Sequence, residues 1–511
     1  MGRTKLAAKN ITFGYVGQLA TALMSFILRT IFIHRLAETL LGVNALYSNI
    51  LSLLSMAELG IGTALNFSLY APVAAKDTEK VKSYMQMYRK AYHTIAIVVA
   101  VIGLSLVPFL QYLAKNSGDI GLRDLRFYYL IFLFNTVSTY FVSYKYSLVN
   151  AEQKNYIQTN INTITKIVTV FFQIIILLII PNFYLYLLTD AVVQLIQKIF
   201  VSSYLNKLYP YLTDKNITPL SKEEHDEVWR KTKALVMHKV GDVARLQTDT
   251  LIISSFIEVK VAGHVDNYTM VTGTIANFVN IIFNSVISGF GNLIATESKQ
   301  KQYQTFKVYR FFASWVYGFS ACGFFILLQP LIYLWIVRKN GPEWLLATAA
   351  VYLLITDYYF KGDRIVLSNY KTAAGVFEQD KYLALIQGLV NLVISIVLVQ
   401  KIGLAGIYVG TVISGLIANI TKPVIIYRVC FERSAASYFA DSIKYILTEA
   451  AIICLLYFIS IFVLKEITLV SFAVMIVIVT IVFNSVFWIL FHKTYEYTYL
   501  KNIVLRKLGK A

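Results

Sequence analysis

The stretch KIVTVFFQIIILLIIPNFYLYLLTDAVVQLIQKIF, residues 166–200, is two apolar runs parted by Pro-Asn-Phe at 181–183. Each belongs to a segment of about 20 residues, the length a helix needs to cross roughly 30 Å of hydrocarbon. Segments of this kind recur throughout the 511-residue chain, which is 57% hydrophobic and 15% charged, with a mean hydropathy of +0.61. A soluble fold does not need so many apolar helices without charged outer faces. The chain therefore reads as an all-α polytopic membrane protein of about fourteen transmembrane helices. They are placed near 11–33, 42–67, 91–113, 126–149, 157–180, 182–204, 233–257, 264–290, 308–335, 344–360, 382–400, 403–427, 443–464 and 467–491. The basic start, MGRTKLAAKN, leads into a full-length apolar run with no small-residue cleavage site and reads as an uncleaved first span.

Several functions are disfavoured by what the chain lacks. The net charge of +19 is spread over alternate loops and not gathered with stacking aromatics, so no nucleic-acid partner is expected. Cys322, Cys430 and Cys454 fall in or beside apolar segments and have neither disulfide-framework nor metal-ligand spacing. There is no phosphate-binding GxxxxGK[ST] loop, no DxD and no HExxH, and the hydrophilic loops are too short for a catalytic domain. No enzyme activity, cofactor or metal is expected.

Lysine and arginine concentrate in one set of alternate loops, and with an even number of spans this places both termini in the cytoplasm. An offset of 221 lays Gly42 on Gly263, Tyr47 on Tyr268, Tyr88 on Tyr309 and Arg89 on Arg310. An offset of 226 lays AEQKNYI (151–157) on FEQDKYL (377–383). Two parallel six-helix lobes around a central cavity follow, at 1–204 and 233–430. A cytoplasmic linker covers 205–232, and two further helices with a basic tail cover 431–511.

Within the span at 233–257, the run HKVGDVARLQTD (238–249) puts His238, Asp242, Arg245 and Asp249 on one helical stripe, with Lys239 at its edge. Each charge facing lipid at mid-bilayer would cost about 2.5–3.5 kcal/mol on insertion scales, so the stripe must face protein or water. It is either a salt-bridge ladder or the wall of a cavity that binds charge. Arg29, alone in the apolar first span, either snorkels to the interface or faces the cleft, where its planar fork would suit phosphate. Lys166 sits on a helix whose polar half carries Asn160, Asn162, Thr163 and Thr165. Asn277, Asn280 and Asn284 share a helical face suited to sugar hydroxyls, although asparagine also serves as helix–helix glue. Glu58, Asp190, Asp266 and Asp357 are isolated intramembrane acids. With Asp242 and Asp249, Glu58 and Asp266 are candidate ion-coupling sites.

The run LGVNALYSNILSLLSMAELGIGTALNFSLY (41–70), preceded by SFILRTIFI and followed by the basic KVKSYMQMYRKAY, resembles the bacterial polysaccharide flippases of the Wzx or PST type. These belong to the multidrug/oligosaccharidyl-lipid/polysaccharide exporter superfamily. The likeness is sharpest over about the first 95 residues and extends as a pattern of spans along the whole chain. It implies translocation of an undecaprenyl-diphosphate-linked oligosaccharide across the bacterial plasma membrane by alternating access, for capsule, O-antigen or exopolysaccharide export. It also implies a proton or sodium gradient as the drive and a polymerase and assembly proteins as partners. Arg29 and Arg245, with Lys239 and Lys166, would engage the diphosphate; His238 and the three asparagines would line the sugar site. The alternative is a cation- or proton-coupled multidrug exporter of the same superfamily, which the acids Asp242 and Asp249 keep open.

Overall fold

A computed structural model describes residues 3–55, 58, 68–118, 120–214, 216–226, 228–229, 248–376, 378–380 and 382–507. All regular elements among them are helical. The chain divides into two compact units, Met1–Gly263 and His264–Ala511.

The first unit holds α1 (Arg3–Arg35), α2 (Glu38–Leu54), α3 (Thr78–Leu106), α4 (Leu122–Ala151), α5 (Tyr156–Ile179) and α6 (Phe183–Leu208). A short helix, α7 (Thr248–Ile257), follows. The helix α8 (Val259–Asn284) begins in this unit and continues into the second. The second unit then holds α9 (Ile287–Thr296), α10 (Lys299–Ile332), α11 (Thr348–Asp363), α12 (Ile365–Ala374), α13 (Leu383–Ile402), α14 (Leu404–Ile426), α15 (Ala436–Val463), α16 (Leu469–Phe491) and α17 (Tyr495–Lys507).

Ten helical segments among the described residues are long and apolar enough to span a membrane. The chain is a multi-pass membrane protein. Helices α2 and α11 occupy expected span positions but are shorter, with 17 and 16 residues. Helix α4 also lies outside the ten, and its five tyrosines dilute its hydropathy. Outward faces are apolar, as lipid requires: Ile97, Val101 and Leu104 on α3 and Phe458 and Phe462 on α15 are all exposed.

The observed helix starts repeat. Glu38 and Val259, Thr78 and Lys299, and Phe183 and Leu404 are paired by the first of the two sequence offsets, and Leu122 and Thr348 by the second. Caps repeat as well. Asp77 accepts from the Lys80 amide at 3.0 Å, and its repeat partner Ser298 accepts from that of Lys301 at 3.4 Å. Each satisfies one of the orphan donors at a helix start. The repeat-paired tyrosines do equivalent work. Tyr47 donates to the Leu125 carbonyl at 2.9 Å, and Tyr268 donates to Gln329 at 2.8 Å while accepting from the Leu346 amide at 3.1 Å.

Within the first unit α1 lies along α5, α5 along α6, α6 along α4 and α4 along α3, with α2 against α3 and α4. Gly42 of α2 meets the first turn of α8 so closely that a Cβ there would collide with the Val259 carbonyl. A Cβ on Gly263 would lie 2.7 Å from the Gly42 nitrogen. Close by, the Lys115 amide donates to the Ser254 carbonyl at 3.1 Å and the Val259 amide to the Lys115 carbonyl at 3.0 Å. Asn116 donates to Glu258 at 3.1 Å, and Lys260 pairs with Glu258 at 3.3 Å and with Glu38 at 3.8 Å.

In the second unit α13 and α14 form a tight hairpin, α14 packs on α11, and α11 packs on α10. The last two long helices, α15 and α16, cover another face of α10 through Phe311, Ile452, Phe483, Phe487 and Phe491. Trp315 stacks on Phe487 at 5.6 Å and donates its indole N–H to Asn484 at 3.0 Å, which satisfies a donor that lipid could not.

Candidate functional site

The first unit gathers charge around α6. Asp190 lies one turn below Gln194, which donates to it at 3.1 and 3.0 Å, and it accepts from Asn135 of α4 at 2.9 Å. Two turns along the same face, the buried Lys198 donates to the Asn135 carbonyl at 2.8 Å and to Ser138 at 2.7 Å. On the facing helices, Arg29 of α1 and Asp190 are the charges felt by Lys166 of α5. Both also act on the ring hydroxyl of Tyr186. Arg29, Lys166 and Asp190 are each partly buried.

The local sequence explains the convergence. Helix α1 can lie against α5 because Gly17 packs on Thr159 and Thr163, small or short side chains that let the backbones approach. That packing carries Arg29 and Lys166 along adjacent helices. Asp190 and Lys198 are eight residues apart on α6 and so share a face. Of the four charges three are positive, and the polar groups around them (Gln194, Asn135, Ser138) are neutral. Chemically the cluster favours an anion, since a planar guanidinium and two ammonium groups surround one carboxylate already held by two amides.

Arg29 and Lys166 of the expected diphosphate set are thus brought together. Their expected companions Arg245 and Lys239, together with His238 and Asp242, lie outside the described residues. Asp249 is partly buried on α7. Glu58 is partly buried and lies within electrostatic range of Tyr92 and Tyr140. Asp266 is partly buried on α8, in the second unit. Of the three asparagines on one face of α8, Asn280 accepts from Tyr317 at 2.6 Å, so it joins α8 to α10. Asn277 and Asn284 are exposed. Asp357 is a satisfied structural acid paired with Lys361 at 2.5 Å.

Sequence reasoning passed over Lys198. Its signal was present, a lysine in the apolar run QLIQKIF (194–200), two turns from Asp190. It also passed over the buried network in the second unit. There Arg310 donates to the Tyr438 carbonyl at 2.9 Å and to Ser442 at 2.6 Å, with its guanidinium 3.4 Å from the Tyr438 ring centre. Asp363 and Asp441 each lie 3.7 Å from it. No group of three or more candidate metal ligands occurs among the described residues.

No protein-family model and no curated protein sequence matches the chain. Solved structures do. The chain is similar to the lipid II flippase MurJ in an inward closed conformation, with a TM-score of 0.69 at 13% identity over 94% of this chain and 99% of that one. It is similar to an inward-facing multidrug resistance MATE family transporter of the MOP superfamily, with a TM-score of 0.64 at 13% identity over 79% and 92% of the two chains. A MOP superfamily transporter from Pyrococcus furiosus, described as having a binding pocket of reversed polarity, matches with a TM-score of 0.55 at 15% identity over 82% and 94%. The fold is that of these membrane transporters.

Proposed function

We propose that the chain is a flippase that carries the diphosphate headgroup of an undecaprenyl-linked oligosaccharide from the inner to the outer leaflet of a bacterial plasma membrane. The observation that carries this reading is the cluster of Arg29, Lys166, Asp190 and Lys198 inside an otherwise apolar helical unit. Three cations around one amide-held acid suit a diphosphate, and a transporter fold supplies a route for it. The polyprenyl tail would stay in lipid while two lobes open alternately. The loop-charge asymmetry supports cytoplasmic termini in this reading. A proton or sodium gradient would drive the cycle, with a polymerase and assembly proteins receiving the product.

A second reading, an ion-coupled exporter of cationic compounds, draws on Asp190, whose carboxylate sits within the same cluster. The test is to deplete the protein in its host and profile polyprenyl-linked sugars by mass spectrometry. The expected result is accumulation of one complete lipid-linked oligosaccharide, restored to normal by the wild-type gene but not by Arg29→Gln. An unchanged lipid pool with increased sensitivity to cationic drugs would replace the first reading with the second.

A further inference from the structure

A second cationic site lies in the first unit, one turn further along α4 and α6, where Phe141 follows Ser138 and Ser202 follows Lys198. A cavity of about 640 Å3 opens between α3, α4, α6 and the segment after α6. Its walls carry Lys82, Arg89, His93 and Lys145, with the amides of Gln86 and Asn206. One carboxylate, Asp214, lines it, and that group is tied to Lys82 at 3.2 Å. Lys145 is 5% exposed, and its ammonium is held by neutral oxygens, Ser202 Oγ at 2.8 Å and Asn206 Oδ1 at 2.9 Å. Arg89 is within electrostatic range of both Lys145 and His93. Among the described residues neither Arg89 nor Lys145 has a carboxylate partner. Two neighbouring cations, one of them buried, are thus left with no counter-ion among the described residues, a costly arrangement unless an anion joins them.

The repeat sharpens the point. Under the first offset Arg89 corresponds to Arg310, and under the second Lys145 corresponds to Lys371. In the second unit both are neutralised from within: Arg310 by Asp363 and Asp441, and Lys371 by the buried Asp380. Part of that closure comes from α15, which lays Tyr438, Asp441 and Ser442 over Arg310. The first unit keeps the same two cations, and among the described residues no carboxylate pairs with either of them.

We propose that this cavity binds a phosphate-bearing headgroup. Its volume lies in the range of small-molecule sites and exceeds what a lone phosphate fills, leaving room for a polar substituent beside Gln86 and Asn206. Its setting favours a lipid as the source. Arg89, His93, Ile97 and Val101 follow one another at four-residue spacing on α3, so the cavity wall runs directly into the exposed apolar face. Phe141, 50% exposed, stands 5.2 Å from the His93 ring on that side. A headgroup could enter there while its chains stay in the bilayer.

The experiment uses the full chain in nanodiscs of phosphatidylcholine with or without phosphatidylglycerol, read by native mass spectrometry of retained lipid. In a separate arm, inorganic pyrophosphate is titrated onto the phosphatidylcholine sample. The wild-type chain should retain phosphatidylglycerol in preference to phosphatidylcholine, and Arg89→Gln, an exposed position, should weaken this about tenfold or more, as loss of one charge-assisted contact does. Lys145→Met should do the same. Saturable pyrophosphate binding with the same dependence on Arg89 would support the site and identify a free phosphate compound as its source. Equal retention of the two lipids with no pyrophosphate binding would overturn the proposal, as would retention unchanged in both variants.

Discussion

Replacing Arg310 by alanine should be among the most destabilising single changes in the second unit. The side chain is 2% exposed and sits where α10, α11 and α15 meet. Alanine removes two charge-assisted hydrogen bonds and a guanidinium stacked on Tyr438. It also strands Asp363, itself 6% exposed. Breaking a buried pair from one side costs about 3–5 kcal/mol. Asp363 would keep two donors, the Tyr438 hydroxyl at 3.1 Å and Ser442 at 3.2 Å, which moves the expected loss to the lower end, about 3 kcal/mol. Adding Asp363→Asn removes the stranded charge, so Arg310→Met with Asp363→Asn should recover much of that loss. The assay is unfolding of the purified protein by SDS titration in mixed micelles, followed by tryptophan fluorescence. A loss below about 1 kcal/mol for Arg310→Ala, or a double variant no better than the single one, would refute the reasoning, because either would mean that Asp363 does not depend on Arg310.

Three other changes probe the first unit. Gly42→Leu should be destabilising by about 1–3 kcal/mol or more and depress transport, since its side chain must enter the Val259 backbone, whereas Gly14→Leu, with nothing within 4 Å, should be silent. On the proposed function, Lys198→Met should reduce export of the lipid-linked sugar at unchanged expression and size-exclusion profile, with the exposed Lys301→Ala as control. Glu258, outside the spanning segments, is held below the usual carboxylate range by the hydrogen bond from Asn116 and then by Lys260. A group depressed in the folded state contributes stability above its unfolded value of about 4.3 and loses that contribution as the pH falls through the folded value. Thermal stability should therefore drop below about pH 4 in wild type, and Glu258→Gln should be less stable at neutral pH with a shallower acid dependence.

Much of the fold is legible in the chain because lipid imposes a simple rule. Long apolar runs must be helices, and the turns at Pro181 and Gly403 mark where they reverse. The repeat is visible too, since Gly42 and Gly263, Tyr47 and Tyr268, and Arg89 and Arg310 each keep their register. Less legible was what each residue would meet. Arg29 and Lys166 were readable as cations, but their meeting with Asp190 depends on the packing of α1, α5 and α6. Arg310 acquires its partner from Tyr438, far along the chain. Two arginines in equivalent positions therefore came to different ends for reasons external to their own segments. Helix α4 shows a different limit: its tyrosines lower its hydropathy, yet Tyr129 and Tyr140 are fully buried.

The crossing of α2 with the first turn of α8 carries a mechanical consequence. Most packed helices interlock, with the side-chain ridges of one seated in the grooves of the other, and turning one against the other means lifting every knob from its hole. At Gly42 and Gly263 the meshing parts are missing from both surfaces, and bare backbone bears on bare backbone. Such a contact behaves like a smooth axle in its bushing. It fixes where two rods cross while opposing their rotation only weakly, and any methyl group added there would act as a stop.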